Sequence, residues 1–136
     1  MAEYKLYTDG GARGNPGHAG IGFVLYEDNQ NIYEFKKYIG ECTNNVAEYM
    51  ALITALMYTS QKDIKNVNCF LDSELVVKQL NGLYKVKHKD MIQLYNKVQE
   101  LIKLFDKVTF ANIPREQNRL ADSLVNQALD EHKSEK

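Results

Sequence analysis

The sequence predicts an α/β domain on a five-stranded mixed sheet, with three antiparallel strands, two parallel additions and helices on both faces. Three observations carry this reading. Three β-rich segments in the first forty residues are joined by short links, which favours antiparallel pairing. From Thr43 the apolar residues change to a helical period. Two short apolar runs then recur between helical stretches, an order that adds parallel strands.

Taken in order, residues 4–9 (YKLYTD) alternate and read as a strand. GGARGNPGHAG, with its five glycines and one proline, reads as a loop. Residues 21–27 and 31–39 form a hairpin around Asp28-Asn29-Gln30. Val46, Tyr49, Met50, Ile53, Leu56 and Met57 recur at helical spacing, with Thr43 as N-cap. Residues 67–71 (VNCFL) suit a strand buried on both faces. DSELVVKQL follows as a short helix with an acidic first turn, ended by Gly82. A basic stretch, YKVKHKD, leads into an amphipathic helix marked by Met91, Leu94, Tyr95, Val98, Leu101, Ile102 and Phe105. Residues 107–113 return to strand alternation, and Pro114 stops them. A last helix near 117–130 carries Leu120, Ala121, Leu124, Val125, Ala128 and Leu129 as its buried stripe. Residues 132–136 read as a polar, frayed tail, which leaves one domain over 1–131.

Composition narrows the classes. With 44% hydrophobic and 26% charged residues, the chain can bury a core and is not a disordered segment. No apolar run approaches bilayer length, and MAEYKLYTDG lacks the pattern of a secretory signal. Cys42 and Cys69 lack metal-site spacing and are too few for a disulfide scaffold, so a reducing, cytoplasmic setting is expected. The net charge of −1 argues against a generic polyanion binder, but it is a sum of opposites. Residues 1–77 carry ten acids against six bases, whereas 78–107 carry seven lysines against three acids.

Four acids stand where chemistry gathers. Asp9 ends the first strand and Asp72 the fourth, and carboxyl ends of neighbouring parallel strands open into one crevice. Each also suits a turn or a helix cap. Glu48 lies in the first long helix among apolar neighbours, where a solvated position is the plain alternative. Asp122 sits between Ala121 and Leu124 in the last helix, where burial unpaired would be costly. Oxygen donors without thiolate or clustered imidazole select a hard ion such as Mg²⁺ or Mn²⁺.

TDGGARGNPG, TNNVAEYMAL, DSELVVKQL and NRLADSLVNQAL occur in the order and approximate spacing of the type 1 ribonuclease H family, which the chain resembles from Tyr4 to about Leu129. The resemblance implies the ribonuclease H fold and endonucleolytic hydrolysis of the RNA strand in RNA–DNA hybrids, leaving 5′-phosphate and 3′-hydroxyl ends. It implies that Asp9, Glu48, Asp72 and Asp122 hold two Mg²⁺ ions, with Mn²⁺ as a substitute. Ala12, Arg13, Gly14 and Asn15 would line the minor-groove track, and Thr43, Asn44 and Asn45 would meet the DNA strand. Glu74 stands where the family pattern has Gln.

From the residues themselves, the backbone of Gly10, Gly11 and their successors suits phosphate or sugar contacts, though an ordinary turn would serve as well. Tyr84, Lys85, Lys87 and Lys89 form either a ridge for the DNA backbone or a merely solvated face. Little sequence specificity, a monomeric state and no membrane partner are expected. Two departures from the family pattern stand out. The chain has no tryptophan-rich basic protrusion, which makes it a compact form, and IPREQNRLAD has no histidine where relatives place a mobile one. Glu116 is the substitute at hand, and His18 and His88 read as surface residues. A catalytically weak module that only binds hybrid or structured nucleic acid is the alternative, and a domain cut from a reverse transcriptase is a third. The start at Met1 and the polar tail suggest a stand-alone protein.

Overall fold

The computed structural model describes residues 2–134. Its elements are β1 (Tyr4–Gly14), β2 (Gly17–Glu27), β3 (Gln30–Cys42), α1 (Asn44–Ser60), β4 (Asn66–Leu71), α2 (Glu74–Leu80), α3 (Lys89–Ile102), β5 (Lys107–Asn112) and α4 (Arg119–Ser134). A 3₁₀ turn over Arg115–Gln117 precedes α4. The strands form one sheet in the order β3-β2-β1-β4-β5, with β1, β2 and β3 antiparallel and β4 and β5 added parallel. This is the sheet that the sequence predicts. Asp28 and Asn29 close the β2–β3 hairpin with positive φ at both positions, as a tight turn between twisted strands requires. Thr43 caps α1 by accepting from the Val46 N–H, and Ser73 caps α2 by accepting from the Val76 N–H. Residues 81–88 join α2 to α3 without a further helix, in keeping with the compact form.

The core lies between α1 and one face of the sheet. Leu6, Phe23, Leu25, Val67, Cys69 and Leu71 meet Tyr49, Leu52, Ile53 and Leu56, and Val98 and Leu101 of α3 close the cluster. The second face is covered by α4, which packs on β1, β2 and β3. The predicted burial of 67–71 on both faces is therefore corrected. Val67, Cys69 and Leu71 are buried, while Asn68 and Phe70 on the other side are only half-covered because α4 stops short of them.

The predicted glycine-rich loop is also corrected, since residues 10–14 continue β1 and 17–20 begin β2. Glycine masked the alternation that marks a strand, but here it admits the helices. A Cβ on Gly10 would stand 2.1 Å from the Ala47 carbonyl oxygen of α1, and one on Gly22 2.8 Å from the Ala121 carbonyl oxygen of α4. Gly10→Ala should therefore push α1 off the strand that carries Asp9 and destabilise the fold by several kcal/mol, on the order of 3. Urea unfolding checks this, and a loss under about 0.5 kcal/mol would contradict it.

At the C-terminus, α4 begins two residues later and runs further than the expected helix. His132, assigned to a frayed tail, lies flat on the Tyr38 ring with centroids 3.6 Å apart, so residues 132–134 stay helical. Residues 135–136 of that tail lie outside the described residues. Leu120, expected on the buried stripe, is 36% exposed because it precedes the part of α4 that crosses the sheet.

Candidate active site

Three of the four predicted carboxylates converge. Asp9, Glu48 and Asp72 each offer an oxygen, and these oxygens lie within 4.8 Å of one another. The parallel pairing of β1 with β4 explains two of them, because Thr8 is in register with Leu71 and the next residue of each strand is an aspartate. Glu48 comes from the second turn of α1. Its Oε1 accepts the Gly10 N–H at 3.0 Å, a contact possible only because α1 rides close over Gly10. Its other oxygen, Oε2, is buried with no hydrogen-bond partner.

Asp122, expected to serve a second ion, lines the same cleft but lies outside the group of three converging carboxylates. Its Oδ1 instead accepts from the Arg115 guanidinium at 3.1 Å. Sequence reading passed over Arg115. A single arginine just after the Pro114 stop, facing strand-end acids, was the available signal. It also passed over Asn118, which is 1% exposed. Asn118 Nδ2 donates to the Thr8 carbonyl at 2.8 Å and to Asp72 Oδ2 at 3.3 Å, which pins the loop before α4 to β1 and orients Asp72. Glu116, the substitute considered for a histidine, is exposed on the 3₁₀ turn.

Burial and mutual charge strain the cluster. Burial is the main force raising the Asp9 carboxyl, with the charge and hydrogen bond of Glu48 and the charges of Asp72 and Asp122 adding. Glu48 is raised by burial too, against the opposing hydrogen bonds of Asp9 and the Gly10 N–H. Asp72 is raised by burial, with Asn118 and Arg115 pulling the other way. The arrangement fits a divalent cation on its own chemistry: all donors are oxygens, one buried oxygen lacks a partner, and the close charges need neutralising.

The remaining predicted contacts divide. Gly10 and Ala12 do not offer free N–H groups to a phosphate, because Glu48 takes the first and Asn44 Oδ1 takes the second at 2.8 Å. Gly11 and Gly14 are held in the β1–β2 ladder. The Asn15 side chain accepts the Asn44 N–H at 3.0 Å, tying the hairpin to α1. Arg13 reaches Asp130 at 2.8 Å while lining the cleft of about 480 Å³ around the acids. Thr43, Asn45, Lys85 and Lys87 come together around a second groove of about 360 Å³, with Gln79 at its base. Buried Tyr49 donates to Gln79 Oε1 at 2.7 Å and so fixes that amide. Lys89 starts α3, and Tyr84 accepts from Lys78. Glu74 is exposed and paired with Lys78 rather than facing the acids. His88 is exposed and its Nδ1 caps α3 by accepting the Asp90 N–H, while His18 is half-buried against Tyr38.

The comparisons with known proteins agree with this fold. The family described as "Reverse transcriptase-like" matches residues 7–128. The bifunctional protein Rv2228c of Mycobacterium tuberculosis is 42% identical over 127 residues, covering 92% of this chain and 35% of that protein. The chain thus spans about a third of the length of that relative. Ribonuclease HI of Halobacterium salinarum is 40% identical over 126 residues, covering 92% of this chain and 63% of that one. Among solved structures, LC11-RNase H1 in complex with an RNA/DNA hybrid superposes with a TM-score of 0.89 at 43% identity, covering 96% and 99% of the two chains.

Proposed function

The chain belongs to the type 1 ribonuclease H family, and from that premise we propose that it hydrolyses the RNA strand of RNA–DNA hybrids endonucleolytically, leaving 5′-phosphate and 3′-hydroxyl ends. The observation that carries the proposal is the convergence of Asp9, Glu48 and Asp72 within 4.8 Å, at the mouth of an open cleft. The hybrid held by LC11-RNase H1 supports the choice of substrate.

Asp9, Glu48 and Asp72 would hold the cation, and Asp122 would complete the site for a second. Two Mg²⁺ ions, or Mn²⁺ in their place, would stabilise charge on the attacking and leaving oxygens of an in-line displacement. The chain's own residues prepare for this. Asn118 keeps Asp72 aimed at Asp9, and the Gly10 N–H fixes Glu48. Arg115 steadies Asp122 and places a permanent positive charge at the cleft mouth, near the phosphate to be cut. The groove of Thr43, Asn45, Lys85 and Lys87 takes the DNA strand, as its lysines and hydroxyl suit a phosphate. Ribose hydroxyls and groove shape then tell RNA from DNA, with little reading of sequence. The protein works as a monomer in the cytoplasm on this reading. No described helix is long and apolar enough to cross a membrane.

A second reading, a module that binds hybrid without cutting it, is favoured by the absence of histidine between Pro114 and Asn118, where Arg115 stands. One assay separates the two. Labelled hybrid, DNA duplex and RNA duplex are incubated with Mg²⁺ and then Mn²⁺, alongside Asp72→Asn. Cleavage of the hybrid alone, lost in the variant, is expected. Tight hybrid binding without cleavage under either metal would favour the binding module.

A further inference from the structure

A second concave site lies on the same face of β1 as Asp9. Lys5, Tyr7 and Asp9 alternate along the strand, so their side chains share one face, with Tyr7 about 7 Å from Asp9. Register places Phe70 of β4 beside Tyr7 and Tyr26 of β2 beside Lys5. The Tyr7 ring stacks on Phe70 at 4.9 Å, and Tyr26 stands edge-on to Tyr7 at 5.4 Å. All three rings are only half-buried. The reason is the start of α4: Ala121 crosses over Gly22 and Val125 over Gly20, so the sheet beyond Gly22 has no helix above it. The first turn of α4 walls the opening instead, giving a cleft of about 290 Å³ with Asn29 and Gln117 at its rim.

Its chemistry is specific. Tyr7 and Tyr26 provide a stacking surface, and the Gln117 amide presents a donor and an acceptor. Lys5, which donates to Asn29 Oδ1 at 3.1 Å and pairs with Glu3 at 3.6 Å, supplies a cation that a phosphate would share with Glu3. That combination suits a planar heterocycle carrying an anionic phosphate. Asn118 lines this cleft while bonding Asp72, so one buried side chain joins it to the acid cluster. We infer that the cleft lined by Tyr7 and Tyr26, the former backed by Phe70, binds the base of an unpaired nucleotide, with Lys5 meeting its phosphate. The inference rests on the proposed nucleic-acid substrate for its biological sense. It extends the site along β1 to a strand that leaves the paired hybrid.

The test compares a blunt hybrid with the same hybrid bearing a short single-stranded RNA extension, with EDTA present so that nothing is cut. The extension should tighten binding about tenfold, the effect of one stacked base. Gln117→Ala, Tyr26→Leu and Lys5→Gln should each erode that gain and leave the blunt hybrid's affinity unchanged. Gln117 and Lys5 reach solvent, so these two variants keep the test open if Tyr26→Leu misfolds. Separate NMR titrations with a short single-stranded RNA and with adenosine 5′-monophosphate should shift the Tyr7 and Tyr26 ring resonances. A shift with the monophosphate alone would identify a free-nucleotide site, and a shift with the strand identifies an unpaired end. Equal affinity for blunt and extended hybrids, or ring resonances unmoved by either small ligand, would overturn the inference. Failure of wild type to cut blunt hybrid in Mg²⁺ would instead sink the reading of the acid cluster, and the ring shifts would still decide the cleft.

Discussion

Asp9→Asn should lower kcat for hybrid cleavage by at least about 10³-fold while leaving the fold intact. The amide keeps the shape of the carboxyl but cannot supply the negative oxygen that a hard cation demands. Asp9 is the right residue to remove because it stands among all the others: Glu48, Asp72 and Asp122 each act on its carboxyl. The variant has a second expected effect of opposite sign. In metal-free buffer at pH 8 it should melt higher than wild type. Burial and the neighbouring acids keep the Asp9 carboxyl protonated in the fold while the unfolded chain gains by ionising it, and the amide removes that difference. Steady-state kinetics and a thermal melt in EDTA read the two effects. Equal kcat for both proteins would remove Asp9 from the chemistry. A lower melting temperature for the variant in EDTA would mean that the carboxylate stabilises the metal-free fold, against the strain described above.

Stability should depend on pH in a direction that divalent metal reverses. Asp9, Glu48 and Asp72 all have folded values raised above their unfolded ones, chiefly by burial. The neutral forms therefore favour the fold. Their contribution is fully present below about pH 4, the unfolded value, and is lost as pH rises through the raised folded values. The metal-free protein should thus lose stability between pH 5 and pH 8 through these groups. On the proposed reading Mg²⁺ would bind the ionised cluster, so it should restore stability at pH 8 and do little at pH 5. At a hundredfold excess over Kd the gain is about 2.7 kcal/mol, or about 10 °C in Tm for a domain of this size. Melts at both pH values, with EDTA or Mg²⁺, measure this. A Mg²⁺ effect that is equal at the two pH values, or that persists in Asp9→Asn, would place the ion elsewhere.

Two of the acids were legible because each stands at a boundary that sequence can mark. Asp72 directly follows the apolar β4, and Glu48 follows a helix start fixed by the Thr43 cap. Asp9, by contrast, was read as a strand end but lies inside β1, which runs on to Gly14. The Asp28-Asn29 turn was legible for a similar reason, since few residues accept two successive positive φ values. The segment 10–20 was not. A strand rich in glycine lacks the side chains by which strands announce themselves, and it is held by β2 on one edge and by Glu48 and Asn44 on the other. The contacts that orient the site are also non-local. Asn118 reaches Thr8 across 110 positions, and no local pattern marks it as a buried anchor. Asp122 looked like a fourth member of the cluster because its neighbours are buried. One turn of 3₁₀ helix before α4 brings Arg115 to it and leaves it at the rim.

The ends of the cut RNA strand test the central claim most directly. Among the described residues the cleft is lined by carboxylates and an arginine and by no imidazole. On the proposed reading water, with bound cations supplying charge stabilisation, would therefore attack rather than the neighbouring ribose hydroxyl. Digestion of a hybrid in Mg²⁺, followed by end-group analysis, should find 5′-phosphate and 3′-hydroxyl termini and no detectable product with Asp9→Asn. Cyclic 2′,3′-phosphate ends, or cleavage that continues in EDTA, would contradict a metal-assisted hydrolysis at Asp9, Glu48 and Asp72.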